Sequence, residues 1–120
     1  MILVDTSVWI DHLRNGNAQL KDWLNNNEVI THPFVIGELA CGFIRNRSEF
    51  LSLLSQLPEA IVANHSEVLN FVDNNRLFGT GIGWIDAHLI ASALLSKSKL
   101  TTLDKPLSKI ASVLGLQVLK

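Results

Sequence analysis

The chain has 120 residues, of which 48% are hydrophobic and 18% are charged, and its formal net charge is −1. This composition fits one folded domain over residues 1–120 and excludes an intrinsically disordered chain. Its apolar runs are far shorter than the roughly 20 residues that cross a bilayer, and its N-terminus lacks a secretory pattern, so we expect a cytoplasmic protein without a membrane contact.

Short apolar runs alternate with segments that have the periodicity and caps of helices. Ile2-Leu3-Val4 predicts a first strand, and Thr6 or Ser7 can cap the helix after it. The predicted strands are 2–4, 28–31, 100–104 and 116–119. The predicted helices are 8–13, 18–24, 34–44, 49–56, 64–77, 84–95 and 107–114. This alternation predicts an α/β fold with a central parallel sheet of four to five strands and helices on both faces.

Several acidic residues follow predicted strands or lie near the starts of helices. They are Asp5, Glu38, Asp86 and Asp104. Parallel sheets bind ligands beyond the carboxyl ends of their strands, so all four can face one rim. Crowded carboxylates repel one another unless a cation neutralises them, and Mg²⁺ or Mn²⁺ takes oxygen ligands. The pattern therefore predicts a divalent-metal site that hydrolyses phosphodiester bonds.

Each acid also has a simpler interpretation. An aspartate after a strand often caps a helix or forms a turn, which applies to Asp5 and Asp104. Glu38 and Asp86 have apolar neighbours in the sequence, so a structural salt bridge is an alternative for either. Asp11 does not share a helical face with Asp5, and we expect a surface or salt-bridging role for it.

Other reactive or aromatic residues are expected to be structural. Cys41 is the only cysteine and lies in an apolar stretch, which predicts a small buried side chain. Trp9 and Trp84 are expected in the core, with base stacking or dimer packing as the alternatives. The histidines lack the spacing of a zinc site and are expected to be surface or hydrogen-bonded packing residues. They are His12, His32, His65 and His88.

Two further features concern phosphate binding. The glycine-alternating segment at 79–83 lacks the lysine and hydroxyl residue of a P-loop, which disfavours a nucleotide cofactor. Residues 1–96 carry ten acids and five basic residues, whereas residues 97–120 carry five lysines and only Asp104. Most of these lysines are expected to be solvated, and a weak patch facing phosphates is the alternative. The lysines are Lys97, Lys99, Lys105, Lys109 and Lys120.

Four short segments resemble the PIN-domain ribonucleases, especially the VapC toxins of bacterial toxin-antitoxin pairs. They are Val4-Asp5-Thr6-Ser7-Val8-Trp9-Ile10-Asp11, Gly37-Glu38-Leu39 with Gly42, Gly83-Trp84-Ile85-Asp86-Ala87-His88-Leu89, and Thr102-Leu103-Asp104-Lys105. The resemblance spans residues 4–105 in the expected order. Many relatives carry a basic residue where this chain has Pro106, which reduces the positive charge offered to RNA.

The resemblance implies a magnesium-dependent endoribonuclease, with manganese as an alternative ion. It implies Asp5, Glu38, Asp86 and Asp104 as the catalytic metal ligands, with Thr6, Ser7 and Thr102 as supporting polar neighbours. It also implies an RNA substrate such as tRNA or rRNA, a homodimer, and inhibition by a small antitoxin that inserts a segment near the site.

Two other functions remain open from the residues alone. The domain could hold RNA or a basic peptide at its acids without turnover. It could also cleave DNA, because the metal chemistry does not need a 2′-hydroxyl group. Metal binding separates the first alternative from an enzyme, and matched RNA and DNA substrates separate the second.

Overall fold

The central sheet of the computed structural model, which describes residues 1–119, consists of four short strands. The strands are β1 (Ile2–Val4), β2 (Val29–Ile30), β3 (Lys99–Thr101) and β4 (Val118–Leu119). Their order is β2-β1-β3-β4, and every pairing is parallel. The carboxyl ends of the strands therefore lie along one edge, which confirms the predicted α/β fold.

Helices connect these strands and cover the sheet. They are α1 (Thr6–Asn15), α2 (Ala18–Asn25), α3 (Pro33–Ala40), α4 (Arg47–Ser55), α5 (His65–Asn74), α6 (Trp84–Ser96) and α7 (Lys105–Val113). Across residues 1–119, no helix has both the length and the apolar character needed to cross a membrane. Lys120, predicted to belong to the domain and to the basic tail, lies outside the described residues.

The strand order places a topological switch point at β1. The chain adds β2 on one side of β1 and later adds β3 and β4 on the other side. Right-handed crossovers in opposite directions put their helices on opposite faces of a sheet. They also open a crevice at the carboxyl ends of the two strands where the direction changes. Here those strands are β1 and β3, which lead to Asp5 and Asp104.

One apolar core joins the sheet to α6. Leu3 and Val4 of β1 and Leu100 of β3 are fully buried, as are Leu89 and Ile90 of α6. Seven of the 13 residues of α6 are buried, which explains why its sequence is apolar on nearly every side. The N-terminal end of α6 carries Asp86, so this central helix positions an acid from inside the fold.

Helix α3 ends earlier than its apolar sequence predicts. It was expected to reach Ile44 but ends at Ala40. The Arg47 side chain donates from Nε and Nη2 to the Ala40 carbonyl oxygen at 3.0 and 2.8 Å, which stabilises the helix end. Cys41 follows that end and is exposed, so the prediction of a buried cysteine is wrong.

The start of α5 has the predicted capping box. The Asn64 side chain accepts from the Glu67 N–H at 2.8 Å, and the Glu67 side chain accepts from the Asn64 N–H at 3.0 Å. The apolar run at 61–63 just before it forms no strand. Instead, Thr31 pairs with Glu59 in an isolated parallel bridge beyond β2. Among the described residues, the sheet therefore has four strands.

Candidate active site

Asp5 lies directly after β1 and is 6% exposed. Its carboxylate accepts two short hydrogen bonds, from the Ser7 and Thr102 hydroxyl groups, both at 2.7 Å and both to Oδ2. Although Asp5 occupies the N-cap position of α1, its side chain makes no capping bond to that helix. The interpretation of Asp5 as a helix cap is therefore wrong. Since both hydroxyl groups donate to Oδ2, neither occupies Oδ1.

The same two hydroxyl groups hold the segment that follows β3. The Thr102 oxygen accepts from the Asp104 backbone N–H, and the Ser7 oxygen accepts from the Leu103 N–H, each at 3.0 Å. Asp104 itself caps α7, because its Oδ1 accepts from the Leu107 N–H at 3.0 Å. The helix-cap interpretation is thus correct for Asp104, and one carboxylate oxygen is engaged in that role. Thr102 links the two aspartates through one hydroxyl group.

Asp86 is the third residue of α6 and faces the other aspartates. Its Oδ2 accepts from the Gly83 N–H at 3.0 Å, which satisfies an unpaired donor at the helix start. Burial raises the pKa of the Asp86 carboxyl, and the nearby negative charges of Asp104 and Asp5 raise it further, against the opposing Gly83 hydrogen bond. The three aspartates therefore share one electrostatic environment, which favours a cation.

Glu38 joins this group through the start of α1. It lies on α3 and is exposed, and its Oε1 accepts from the Thr6 hydroxyl group at 2.8 Å. Thr6 follows Asp5 directly, so this bond fixes the Glu38 carboxylate beside the carboxyl end of β1. The apolar neighbours of Glu38 in the sequence thus leave its side chain in solvent with one polar partner.

The four acids surround the crevice without forming a closed set of ligands. Among residues 1–119, no group of three or more His, Cys, Asp or Glu side chains is close enough to hold a metal ion as placed. The available donors are carboxylate oxygens, the type that Mg²⁺ and Mn²⁺ prefer. Together with the raised pKa of Asp86, this donor chemistry fits a divalent cation.

Asp11 lies apart from this group. Its carboxylate accepts from the Asn15 and Asn17 side-chain amides at 3.1 and 3.2 Å. These bonds tie the end of α1 to the start of α2, in agreement with the expected structural role.

Comparison with known proteins places the chain in a family. The sequence pattern of the PIN domain family matches residues 2–113. Ribonuclease VapC32 of Mycobacterium tuberculosis, from strains CDC 1551 and H37Rv, is 47% identical over 116 residues, which make up 96% of this chain and 94% of that protein. This chain belongs to the PIN domain family and is of the VapC type.

Solved structures share the PIN fold of this chain at low sequence identity. FitAcB from Neisseria gonorrhoeae has a TM-score of 0.68 at 18% identity, and the match covers 100% of this chain and 97% of that one. PAE2754 from Pyrobaculum aerophilum has a TM-score of 0.64 at 19% identity, covering 98% and 82% of the two chains. FitAB bound to an IR36 DNA fragment has a TM-score of 0.64 at 19% identity, covering 99% and 94%. These likenesses show the fold alone.

A row of aromatic rings beside Asp86 of this PIN domain was not anticipated. Trp84 is 38% exposed, so its predicted place in the core is wrong, whereas Trp9 is 3% exposed as predicted. The Trp84 ring contacts the rings of His65 and His88, with centroids 5.0 and 4.7 Å away. As the first residue of α6, Trp84 lies at one exposed end of a helix whose middle, residues 87–93, is buried.

His88 also departs from expectation. It is 3% exposed, and neither ring nitrogen has a hydrogen-bond partner among the described residues. It packs edge to face against Phe34 and Trp84, so it is neither a surface nor a hydrogen-bonded residue. Burial lowers the pKa of its imidazole. Its spacing of two residues from Asp86 gave no sign that the opposite side of α6 would be covered by aromatic rings.

Proposed function

We propose that this chain is a magnesium-dependent endoribonuclease that acts in the cytoplasm as the toxin of a toxin-antitoxin pair. The observation that carries the proposal is the 47% identity to ribonuclease VapC32 across 96% of the chain. The carboxylates at the switch point of the sheet support it independently, because metal-assisted phosphodiester hydrolysis needs such oxygen donors. Manganese has the same ligand preference and is the alternative ion.

In this proposal Asp5, Glu38, Asp86 and Asp104 would hold the cation. A bound ion would supply Lewis-acid chemistry, lowering the pKa of water and offsetting negative charge on the phosphate. Ser7 and Thr102 keep the Asp5 carboxylate in one orientation by donating to its Oδ2. Thr6 does the same for Glu38. Polar partners of this kind orient metal ligands and tune their affinity.

Cleavage of RNA by purified protein tests the activity. We expect tRNA or rRNA to be cut with Mg²⁺ or Mn²⁺, and the activity to be lost with EDTA or in Asp86→Asn. Asp22→Asn, which removes an exposed acid on α2, is the matched control and should cleave normally. Cleavage that survives both EDTA and Asp86→Asn would falsify the proposal. A matched DNA substrate tests RNA preference, and we expect it to remain intact.

An apolar groove next to Glu38 supports a protein partner for this toxin. Ile10 and Leu13 of α1 and Phe43 beyond α3 line it together with Glu38. Their side chains are 37%, 40% and 107% exposed, and exposed apolar surface at a groove is typical of a binding site. An antitoxin segment bound there would lie against Glu38. We expect expression of the chain alone to arrest growth, and Asp86→Asn to relieve the arrest.

A further inference from the structure

The surface of α7 that faces away from the core carries basic residues next to the acids. Lys105 and Lys109 are four residues apart and both exposed, so they lie on the same face of the helix. They line a hollow with Thr102, Leu103 and Asp104. They also line a second hollow with Thr80 and Pro106. The two lysines thus form a ridge that begins at the candidate active site.

The charge of α7 opposes what helix stability favours. Lys105 is the first residue of α7, and its first turn contains no acid. The N-terminal end of a helix has a partial positive charge, so a lysine there is slightly destabilising. The last turn, where a lysine would be favourable, contains no basic residue. Stability of α7 therefore does not explain the placement of Lys105.

A neighbouring glycine segment passes beside this ridge. Gly79 and Gly81 both have positive φ, of 73° and 92°, a conformation that glycine adopts without strain. A Cβ on Gly81 would lie 4.0 Å from the Pro106 Cβ, so the segment passes close to the first turn of α7. Thr80 therefore faces the same hollow as Lys105 and Lys109.

We propose that Lys105 and Lys109 bind the phosphates of the RNA strand next to the scissile bond and position that strand over the acids. This inference rests on the proposed ribonuclease function. Four carboxylates repel a polyanion, so a strand that crosses them needs positive charge at its flank, and α7 supplies it directly beside Asp104.

The chain offers a matched control pair of lysines. Lys97 follows α6 and Lys99 begins β3, so both lie at the amino end of that strand. The candidate active site lies beyond its carboxyl end. Lys97 and Lys99 are exposed like the α7 pair, and removing them changes the net charge by the same amount. A general effect of net charge on RNA binding would therefore be equal in the two double variants.

The test compares Lys105→Gln/Lys109→Gln with Lys97→Gln/Lys99→Gln in two assays. In cleavage assays with Mn²⁺, we expect the α7 variant to raise KM on the order of 10-fold at physiological salt, with kcat nearly unchanged. RNA binding is measured by fluorescence anisotropy with labelled single-stranded RNA, and every variant carries Asp86→Asn so that the RNA is not cleaved. For the α7 variant, the slope of log binding constant against log salt concentration should become smaller in magnitude by about 0.7 to 1 per lysine. The control pair should match its parent protein in both assays.

The two assays separate this proposal from the ribonuclease proposal. If the parent protein binds RNA but does not cleave it, the ribonuclease function fails and the anisotropy comparison still decides the role of the lysines. Equal losses in the two double variants, an unchanged salt dependence, or no RNA binding by the parent protein would overturn the role of α7. If α7 binds an acidic protein instead of RNA, the α7 double variant will bind RNA as the parent protein does. That result also overturns the proposed role of α7.

Discussion

Hydroxyl groups, rather than the acids alone, determine the geometry at the end of β1. Thr102 is 8% exposed, donates to Asp5 and accepts from the Asp104 backbone. Ser7 makes the equivalent pair of contacts to Asp5 and Leu103. A carboxylate with two short hydroxyl donors is fixed in orientation, which is what a metal ligand requires.

Thr102→Val tests this positioning role. Valine keeps the shape of threonine but removes the donor to Asp5, so we expect activity and Mn²⁺ affinity to fall by about 10- to 100-fold. Thr102→Ser retains the hydroxyl group and should recover most of both. Mn²⁺ titrations of activity measure the effect, and thermal unfolding checks that the fold persists. Equal activity of the valine and serine variants would show that the hydroxyl group does not position Asp5.

The position of a single residue could be predicted from the sequence where the order of strands and helices alone determines it. Asp5 and Asp104 follow strands, so their place at the sheet edge comes directly from chain order. The exposure of Trp84 and the unpartnered burial of His88 could not be predicted, because both depend on which distant rings cover the start of α6. For α7 the sequence predicts only a weak basic patch, because the hollows that Lys105 and Lys109 share depend on the folded structure.

At the element scale, His32 joins α3 to α6. It is fully buried, its Nδ1 accepts from the Phe34 N–H at 3.0 Å, and its Nε2 lies 3.1 Å from the Ser92 hydroxyl group. Because Nδ1 accepts, the proton of the neutral ring is on Nε2, which donates to Ser92. Burial lowers the pKa of His32 to about 4, and the nearby His88 adds to this effect.

This lowered pKa predicts an acid-sensitive fold. In the unfolded chain His32 takes up a proton near pH 6.5, whereas in the folded chain it does so only near pH 4. The free energy of unfolding is therefore highest above pH 6.5 and decreases as the pH falls from 6.5 to 4. The expected loss is on the order of 3 kcal/mol. His32→Asn should reduce overall stability but flatten this dependence, as measured by urea denaturation across the range.

Identical pH slopes for the parent protein and His32→Asn would contradict this account of α3 packing. This test does not depend on catalysis, because the hydrogen bonds of the His32 side chain are to Phe34 and Ser92 and not to the four acids.

Element order was predictable, whereas several element ends were not. The order of strands and helices follows from the apolar pattern and the caps, as at Asn64 and Glu67. The end of α3 at Ala40 depends on Arg47, whose side chain reaches back from α4. The sequence around Ala40 does not predict this contact with a side chain seven residues away. Cys41 is exposed because the helix ends just before it.

At the scale of the whole molecule, exposed apolar residues on α5 and α6 agree with the homodimer that the family resemblance implies. Leu69 is 46% exposed, and Leu94 and Leu95 are 36% and 46% exposed. Ile61 adjoins them, since its N–H donates to the Ser96 hydroxyl group at 2.8 Å, and it is 58% exposed. Apolar side chains grouped in this way are stabilised by a second surface.

Light scattering after size exclusion tests the dimer. We expect a mass of about twice the 13.3 kDa of one chain, because a symmetric pair buries the same face of both copies. Leu95→Glu should yield a monomer, while Leu53→Glu, at an exposed position on α4, should not change the mass. A monomeric parent protein at micromolar concentration would contradict the dimer.

The central claim is that four acids at the switch point form one divalent-metal site, and titration calorimetry with Mn²⁺ tests it most directly. The parent protein and Asp22→Asn should bind Mn²⁺ alike. Asp5→Asn, Glu38→Gln, Asp86→Asn and Asp104→Asn should each weaken binding strongly while retaining a cooperative thermal transition. Mn²⁺ affinity that is unchanged in these four variants, or no Mn²⁺ binding by a parent protein that still cleaves RNA, would contradict the claim.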